Sequence, residues 1–257
     1  MKFCAVIGSF DMPQFVELQI RALRHVFGAG VPILVSDDIS QHSVEVRDVA
    51  AELSVHHIVS ETHRSHFCGD CQAVVNGLAF AECEKADVLV KVSQRLVLCD
   101  PIISQILEKK YFQDPNTWLV LPGKVHPASI KRAESRFFSN LSCQSDVICI
   151  RVGKLTPIAL KDLYEGRLRA KQSRHDSLIE ALWSFVMDVT LAGHAVQAPE
   201  LTHSVHGREK LFLRRCQSEP AEYLAYAESL GMRWNGVPLC QEWRQLTNAY
   251  RPVPVIE

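Results

Sequence analysis

Phe3-Cys4-Ala5-Val6-Ile7-Gly8-Ser9-Phe10-Asp11 opens with a continuous apolar run that stops at a glycine turn. Such a run is the pattern of a strand buried on both faces. Asp11 is placed to cap a helix, with Pro13 in the first turn and Gln14 three residues on. Phe15, Leu18, Ala22 and Val26 then recur at helical spacing, and Gly28-Ala29-Gly30 ends the helix. Val31 to Val35 reads as a second strand running into Ser36-Asp37-Asp38. A third short strand is expected at His57-Ile58-Val59, a helix rich in small residues over Asp70 to Cys83, and a buried strand over Asp87 to Val92. Strand alternating with helix argues for an α/β protein with a parallel sheet and right-handed crossovers. Ligands of such sheets sit beyond the carboxyl ends of the strands. That places Ser9 to Asp11, Asp37, Asp38 and Ser93 to Arg95 at the candidate site.

The second half is less regular. Helices are expected at Ile102 to Lys110, Thr156 to Glu165, Asp176 to Leu191 and Pro220 to Leu230, the last stopped by Gly231. Strands are expected at Trp118 to Leu121, Asp146 to Arg151 and Ala195 to Gln197. There is no internal repeat and no low-complexity linker. One domain is therefore expected over 1–257, with a nucleotide-binding half at 1–100 and an acceptor-side half at 101–257.

The chain has 257 residues, 47% of them apolar and 22% charged, enough for a substantial core. Lys and Arg total 28 against 29 Asp and Glu, a net charge of -1. That balance argues against bulk nucleic-acid binding. Nine cysteines, an odd number, scatter through strands and helices, which favours a reducing cytoplasm. The apolar run before Gly8 is too short for a signal-peptide core, and no run reaches the roughly 20 residues of a membrane span. At most peripheral membrane contact is expected, through Arg208 to Arg215, which otherwise reads as a solvated helix face. G-x-G-x-x-G, G-x-x-x-x-G-K-[ST] and G-x-S-x-G are all missing.

The segment order carries a resemblance. A strand ends in a short turn, a second strand ends in Asp37-Asp38, and Gly69-Asp70 and Asn76-Gly77 precede the strand Ala86-Asp87-Val88-Leu89-Val90-Lys91-Val92. This resembles the nucleotide-diphospho-sugar transferases of the GT-A fold over about the first 150 residues. The resemblance implies a GT-A-like, Rossmann-type, mostly parallel sheet. It implies a transferase moving a sugar from a nucleoside-diphosphate donor, UDP-linked, to the hydroxyl of a glycan or lipid-linked acceptor. Ser9 and Asp11 then match the turn that approaches the base or ribose. Asp37 or Asp38 matches the carboxylate that accepts hydrogen bonds from them. The competing reading is purely local: a helix cap at Asp11 and an Asx turn at Asp37-Asp38.

The main departure is Ser93-Gln94-Arg95, which stands where the family has Asp-x-Asp. Two hard carboxylate ligands for a divalent cation are replaced. Arg95, with Lys91, offers fixed positive charge to a diphosphate instead, so Mn²⁺ or Mg²⁺ is expected to be optional. The competing reading is a dead site with Arg95 in a structural salt bridge.

In the family the general base begins a helix in the second half, which points to Asp176, with His175 beside it. Ser173 and Asp176 also form a capping box that needs no catalysis. A base at Asp176 implies inversion. His203 and His206, followed by Arg208 and Lys210, match the segment that reaches the diphosphate in many members. His63, His66, Cys68 and Cys71 have zinc-like spacing but no distant second pair. Trp183, Trp234 and Trp243 are candidates for sugar stacking or for core. Two alternatives remain: a non-catalytic nucleotide- or glycan-binding protein on the same scaffold, and a zinc-stabilised interaction domain.

Overall fold

A computed structural model describes residues 1–61, 65–93, 96–122, 147–154, 194–198, 211–214 and 220–232. The strands are β1 (Phe3–Ser9), β2 (Ile33–Asp37), β3 (His56–Val59), β4 (Val88–Ser93), β5 (Leu96–Leu98), β6 (Leu119–Pro122), β7 (Val147–Arg151), β8 (Ala195–Ala198) and β9 (Phe212–Arg214). The helices are α1 (Pro13–Phe27), α2 (Ser43–Glu52), α3 (Ser65–Cys83), α4 (Ile102–Ile106) and α5 (Pro220–Ser229), with a π-helical turn at Leu107–Tyr111. α2, β5 and β9 have no counterpart in the pattern read from the sequence.

Seven strands form one sheet in the order β3-β2-β1-β4-β7-β6-β8. β1 pairs in parallel with β2 and β4, and β2 with β3. β7 runs antiparallel to both β4 and β6, and β6 pairs in parallel with β8. The sheet is thus mostly parallel with one reversed strand. Because β4 pairs with β7, the two halves of the chain share this sheet. β5 and β9 make a separate antiparallel ribbon. The segment around Arg208 to Arg215 therefore supplies a strand at Phe212–Arg214, not a helix face, and Leu213 is buried.

Strand alternation sorts the core into two layers. Ala5, Ile7, Ile33, Val35, Val88, Val90 and Val92 pack with Val16, Ile20, Leu23 and Val26 of α1 on one face. Cys4, Val6, Leu34 and Leu89 pack with Ala73, Val74, Leu78 and Ala81 of α3 on the other. α1 buries a second stripe, Phe15, Leu18 and Ala22, against Val97, Leu213, Tyr223, Ala227 and Met232. It is therefore sandwiched between the large sheet and the β5–β9 ribbon with α5.

α1 starts differently from expectation. Asp11 does not cap it: the N-cap is Met12, and no side chain caps the helix. Asp11 has φ 63, a left-handed conformation, and its Oδ1 lies 3.8 Å from His42 Nε2. The carboxylate is thus turned to His42. Pro13 begins the helix as expected, and Gly28 at φ 95 ends it.

The buried thiols carry a testable consequence. Burial pushes Cys4, Cys99 and Cys149 up to about 12, so all three remain protonated at neutral pH. The thiolate is the reactive form, and Cys83 is exposed. Limiting iodoacetamide at pH 8 is expected to modify Cys83 well before Cys4 and Cys149, as peptide mass spectrometry would report. Equal modification of the three would refute this.

Candidate functional site

Buried polar groups are costly unless partnered or used, so their distribution is informative. Among the described residues the buried polar or charged ones are Ser9, Gln19, Ser36, Asp37, Asp38, Lys91, Ser93 and Thr117. All but Thr117 lie on, or hydrogen-bond to, the last few residues of β1, β2 and β4 or the residue after β2. Consecutive strands lead away in opposite directions between β1 and β4, since β1 connects to β2 on one side and the chain after β4 reaches β7 and β6 on the other. That is the switch point at which open α/β sheets bind ligands.

Register places the pieces. Ser9 is opposite Asp37, and Gly8 is opposite both Ser36 and Ser93. The backbone N–H of Asp38 donates to the Ser9 carbonyl at 2.9 Å, and that of Ser60 to the Asp37 carbonyl at 2.9 Å. Ser9 and Asp37 fall on the α1 face of the sheet, in line with Ile7 and Val35. Lys91 and Ser93 fall on the α3 face, in line with Leu89. The expected site residues are therefore brought to one end of the sheet but divided between its two faces.

Asp37 is 1% exposed. Neither of its carboxylate oxygens has a hydrogen-bond partner. His57 Nε2 lies 3.9 Å from Oδ2, beyond hydrogen-bond reach, and is itself buried without a hydrogen bond. Such a carboxylate is an acceptor with unused capacity. Asp38 and Lys91 are also buried, and neither is without a partner.

α3 is held close on this end. Asn76 Nδ2 donates to Ser36 Oγ at 3.0 Å, and Gln72 Nε2 donates to Asn76 Oδ1 at 2.8 Å. A Cβ on Gly69 would lie 3.3 Å from Asp38 Cβ and Oδ2, so glycine there lets the helix approach Asp38. The Gly69 and Asn76-Gly77 pattern thus has a packing basis.

Gln19 was not among the expected residues. It is 1% exposed, and its Nε2 donates to the carbonyls of Ser93 at 2.5 Å and Leu96 at 3.0 Å. The signal was present: residues three and four positions away on either side, Phe15, Val16, Ala22 and Leu23, are all apolar. A glutamine centred in such a stripe is buried and must find partners.

Arg95, His175, Asp176, His203 and His206 lie outside the described residues, as do His63, Trp183, Trp234 and Trp243. His66, Cys68 and Cys71 lie on α3, with side chains outside the described set. Among the described residues no group of three or more His, Cys, Asp or Glu is placed to hold a metal ion. β4 ends in Ser93, which provides no carboxylate. No helix among the described residues is long and apolar enough to cross a membrane.

The sequence matches no protein-family model and no curated protein. The fold does match solved structures. A cytidylyltransferase from Leptospira borgpetersenii serovar Hardjo-bovis is similar over 100% of both chains, with TM-score 0.52 and 12% identity. Glucosyl-3-phosphoglycerate synthase from Mycobacterium tuberculosis, in complex with Mg²⁺ and UDP, is similar over 92% of this chain and 82% of its own, with TM-score 0.51 and 13% identity. The same synthase with Mn²⁺, UDP and phosphoglyceric acid gives TM-score 0.50 at 12% identity. At these identities the likeness is one of fold. The chain shares with these proteins a mostly parallel sheet flanked by helices, the GT-A-like architecture that its segment order implied.

Proposed function

We propose that the chain is a glycosyltransferase that moves a sugar from a nucleoside-diphosphate donor, UDP-linked, to a hydroxyl acceptor such as a glycan or lipid-linked glycan. The observation that carries this reading is the gathering of buried polar residues at the carboxyl ends of β1, β2 and β4, in a sheet of this fold. Asp37, whose oxygens have unused acceptor capacity, would take the N–H or hydroxyl donors of the base or ribose. Ser9 and Asp11 would border the same ligand, with Asp38 beside them.

The reaction would be a single displacement. The acceptor oxygen bonds to the anomeric carbon while the bond from that carbon to the diphosphate oxygen breaks. The electron pair leaves with the diphosphate, and the acceptor proton passes to Asp176, with His175 adjacent. The anomeric centre inverts. General-base help of this kind is worth about 10²–10⁴-fold. Arg95, Lys91, His203 and His206 are assigned to the departing diphosphate, where fixed positive charge acts on developing negative charge. Ser93-Gln94-Arg95 supports a transfer that does not depend on a divalent cation.

Titrating UDP, GDP and CMP by calorimetry, each with and without Mn²⁺, tests this assignment. UDP is expected to bind without metal. Arg95→Ala should then weaken it about 10–100-fold, the loss of one charge-assisted hydrogen bond to phosphate. Transfer is expected to survive EDTA. Binding only with metal would overturn the assignment of Arg95. The same replacement of Asp-x-Asp favours a second reading, a protein that binds nucleotide or glycan without turnover. It would show as UDP binding with no sugar transfer to any hydroxyl acceptor.

A further inference from the structure

The chain leaves the seven-stranded sheet at Ser93 and joins the β5–β9 ribbon at Leu96, with only two residues between. Backbone carbonyls beside such a passage need donors. The Gln19 side-chain amide meets two of them, Ser93 O at 2.5 Å and Leu96 O at 3.0 Å. Both near groups are carbonyls, which only accept, so the amide must present its NH₂ to them. Its Oε1 is left buried without a hydrogen bond. An aliphatic side chain of similar size would avoid that cost. The glutamine is thus spent on holding this passage at both ends, from α1, across 74 residues to Ser93 and 77 to Leu96.

The geometry points to Gln19 as a positioning residue for the diphosphate. By fixing Ser93 and Leu96 it holds both ends of the two-residue link that in the sequence carries Gln94 and Arg95. This rests on the transferase reading above, in which Arg95 meets the diphosphate. Gln19 itself touches neither base nor phosphate. Its loss should therefore remove the affinity contributed by the diphosphate and leave nucleoside recognition alone.

UDP and uridine are titrated by calorimetry into the full chain and into Gln19→Leu and Gln19→Met, which keep apolar bulk and lack both donors. Folding of each variant is checked by circular dichroism and melting temperature. Wild-type protein is expected to bind UDP more tightly than uridine. In the variants that ratio should fall about ten-fold, with the uridine Kd unchanged. Hydrogen exchange at the amides of 93–98 should quicken in step.

An unchanged ratio of UDP to uridine affinity in a folded variant would overturn the proposal. So would equal weakening of both ligands with a matching drop in melting temperature, which would make Gln19 a core residue only. If neither variant folds, slow exchange at 93–98 in the wild type that UDP, and not uridine, slows further supports the proposal. UDP and uridine slowing it equally overturns it. Wild-type protein that binds neither ligand would overturn the transferase reading itself, and the proposal with it.

Discussion

Gly77→Ala is expected to lower the melting temperature by about 4–8 °C. A Cβ at this position would lie 2.6 Å from Val6 Cγ1, 2.9 Å from Val6 Cβ and 3.1 Å from Leu89 Cδ2. Real side chains do not tolerate such approaches, so α3 or β1 must shift. Val6 cannot yield easily, because β1 is hydrogen-bonded to β2 on one side and β4 on the other. Overpacking of a tight core costs about 1–3 kcal/mol, and the upper end applies to contacts this short. Helix propensity returns about 1 kcal/mol, since alanine is favoured over glycine inside a helix. The net is about 2 kcal/mol, and each kcal/mol moves a chain of this size by about 2–4 °C. Gly77→Val should be worse. Val6→Ala would free the space, so the double variant Val6→Ala/Gly77→Ala should be more stable than the sum of the singles predicts. A Gly77→Ala protein that melts with the wild type would disprove the close packing of α3 on β1.

Asp37→Asn is expected to separate stability from binding. The wild-type carboxylate is buried and accepts no hydrogen bond, and the His57 ring nitrogen stays 3.9 Å away. Leaving a carboxylate in that state is unfavourable for folding. Removing its charge should leave the melting temperature unchanged or raise it. Binding should move the other way. Asparagine keeps one acceptor but turns the second into a donor, which opposes an N–H or hydroxyl of the ligand. The loss of one such buried pairing is about 1–3 kcal/mol, or about 5- to 150-fold in the Kd for UDP. Groups kept for function at a cost in stability behave in this way. A variant that binds UDP as the wild type does would remove Asp37 from the site. One that binds weakly only because it has partly unfolded would mark Asp37 as structural.

The two substitutions probe features of different visibility in the sequence. Asp37 stands at the end of an apolar run, and strand ends are where α/β sheets meet ligands, so it could be picked out by position alone. Gly77 lies in a helix rich in small residues, and its pairing with Asn76 was visible. What it packs against was not, because Val6 is more than 70 residues away. Gln19 marks the boundary between these cases. Its apolar neighbours at three and four positions announce burial, but no local rule says which carbonyls it will meet. Asp11 shows local rules failing. The residues around it spell a helix cap, yet Asp11 takes a left-handed conformation and its carboxylate faces His42, the residue just before α2.

By itself the sequence determined the strands Phe3 to Ile7 and Asp87 to Val92, the helix after Asp11 with its stop at Gly28 to Gly30, and the alternation that makes an α/β sheet. These depend on residues within a few positions of one another, where apolar periodicity and turn chemistry act directly. Only the tertiary structure decided that β7 runs against β4, that β5 leaves the sheet to pair with β9, and that α1 is buried on two sides. It also decided that Ser9 and Asp37 share one face while Lys91 takes the other. Strand direction and partner choice depend on hydrogen bonds between distant segments, and a short apolar run satisfies either direction equally well until its neighbours are in place.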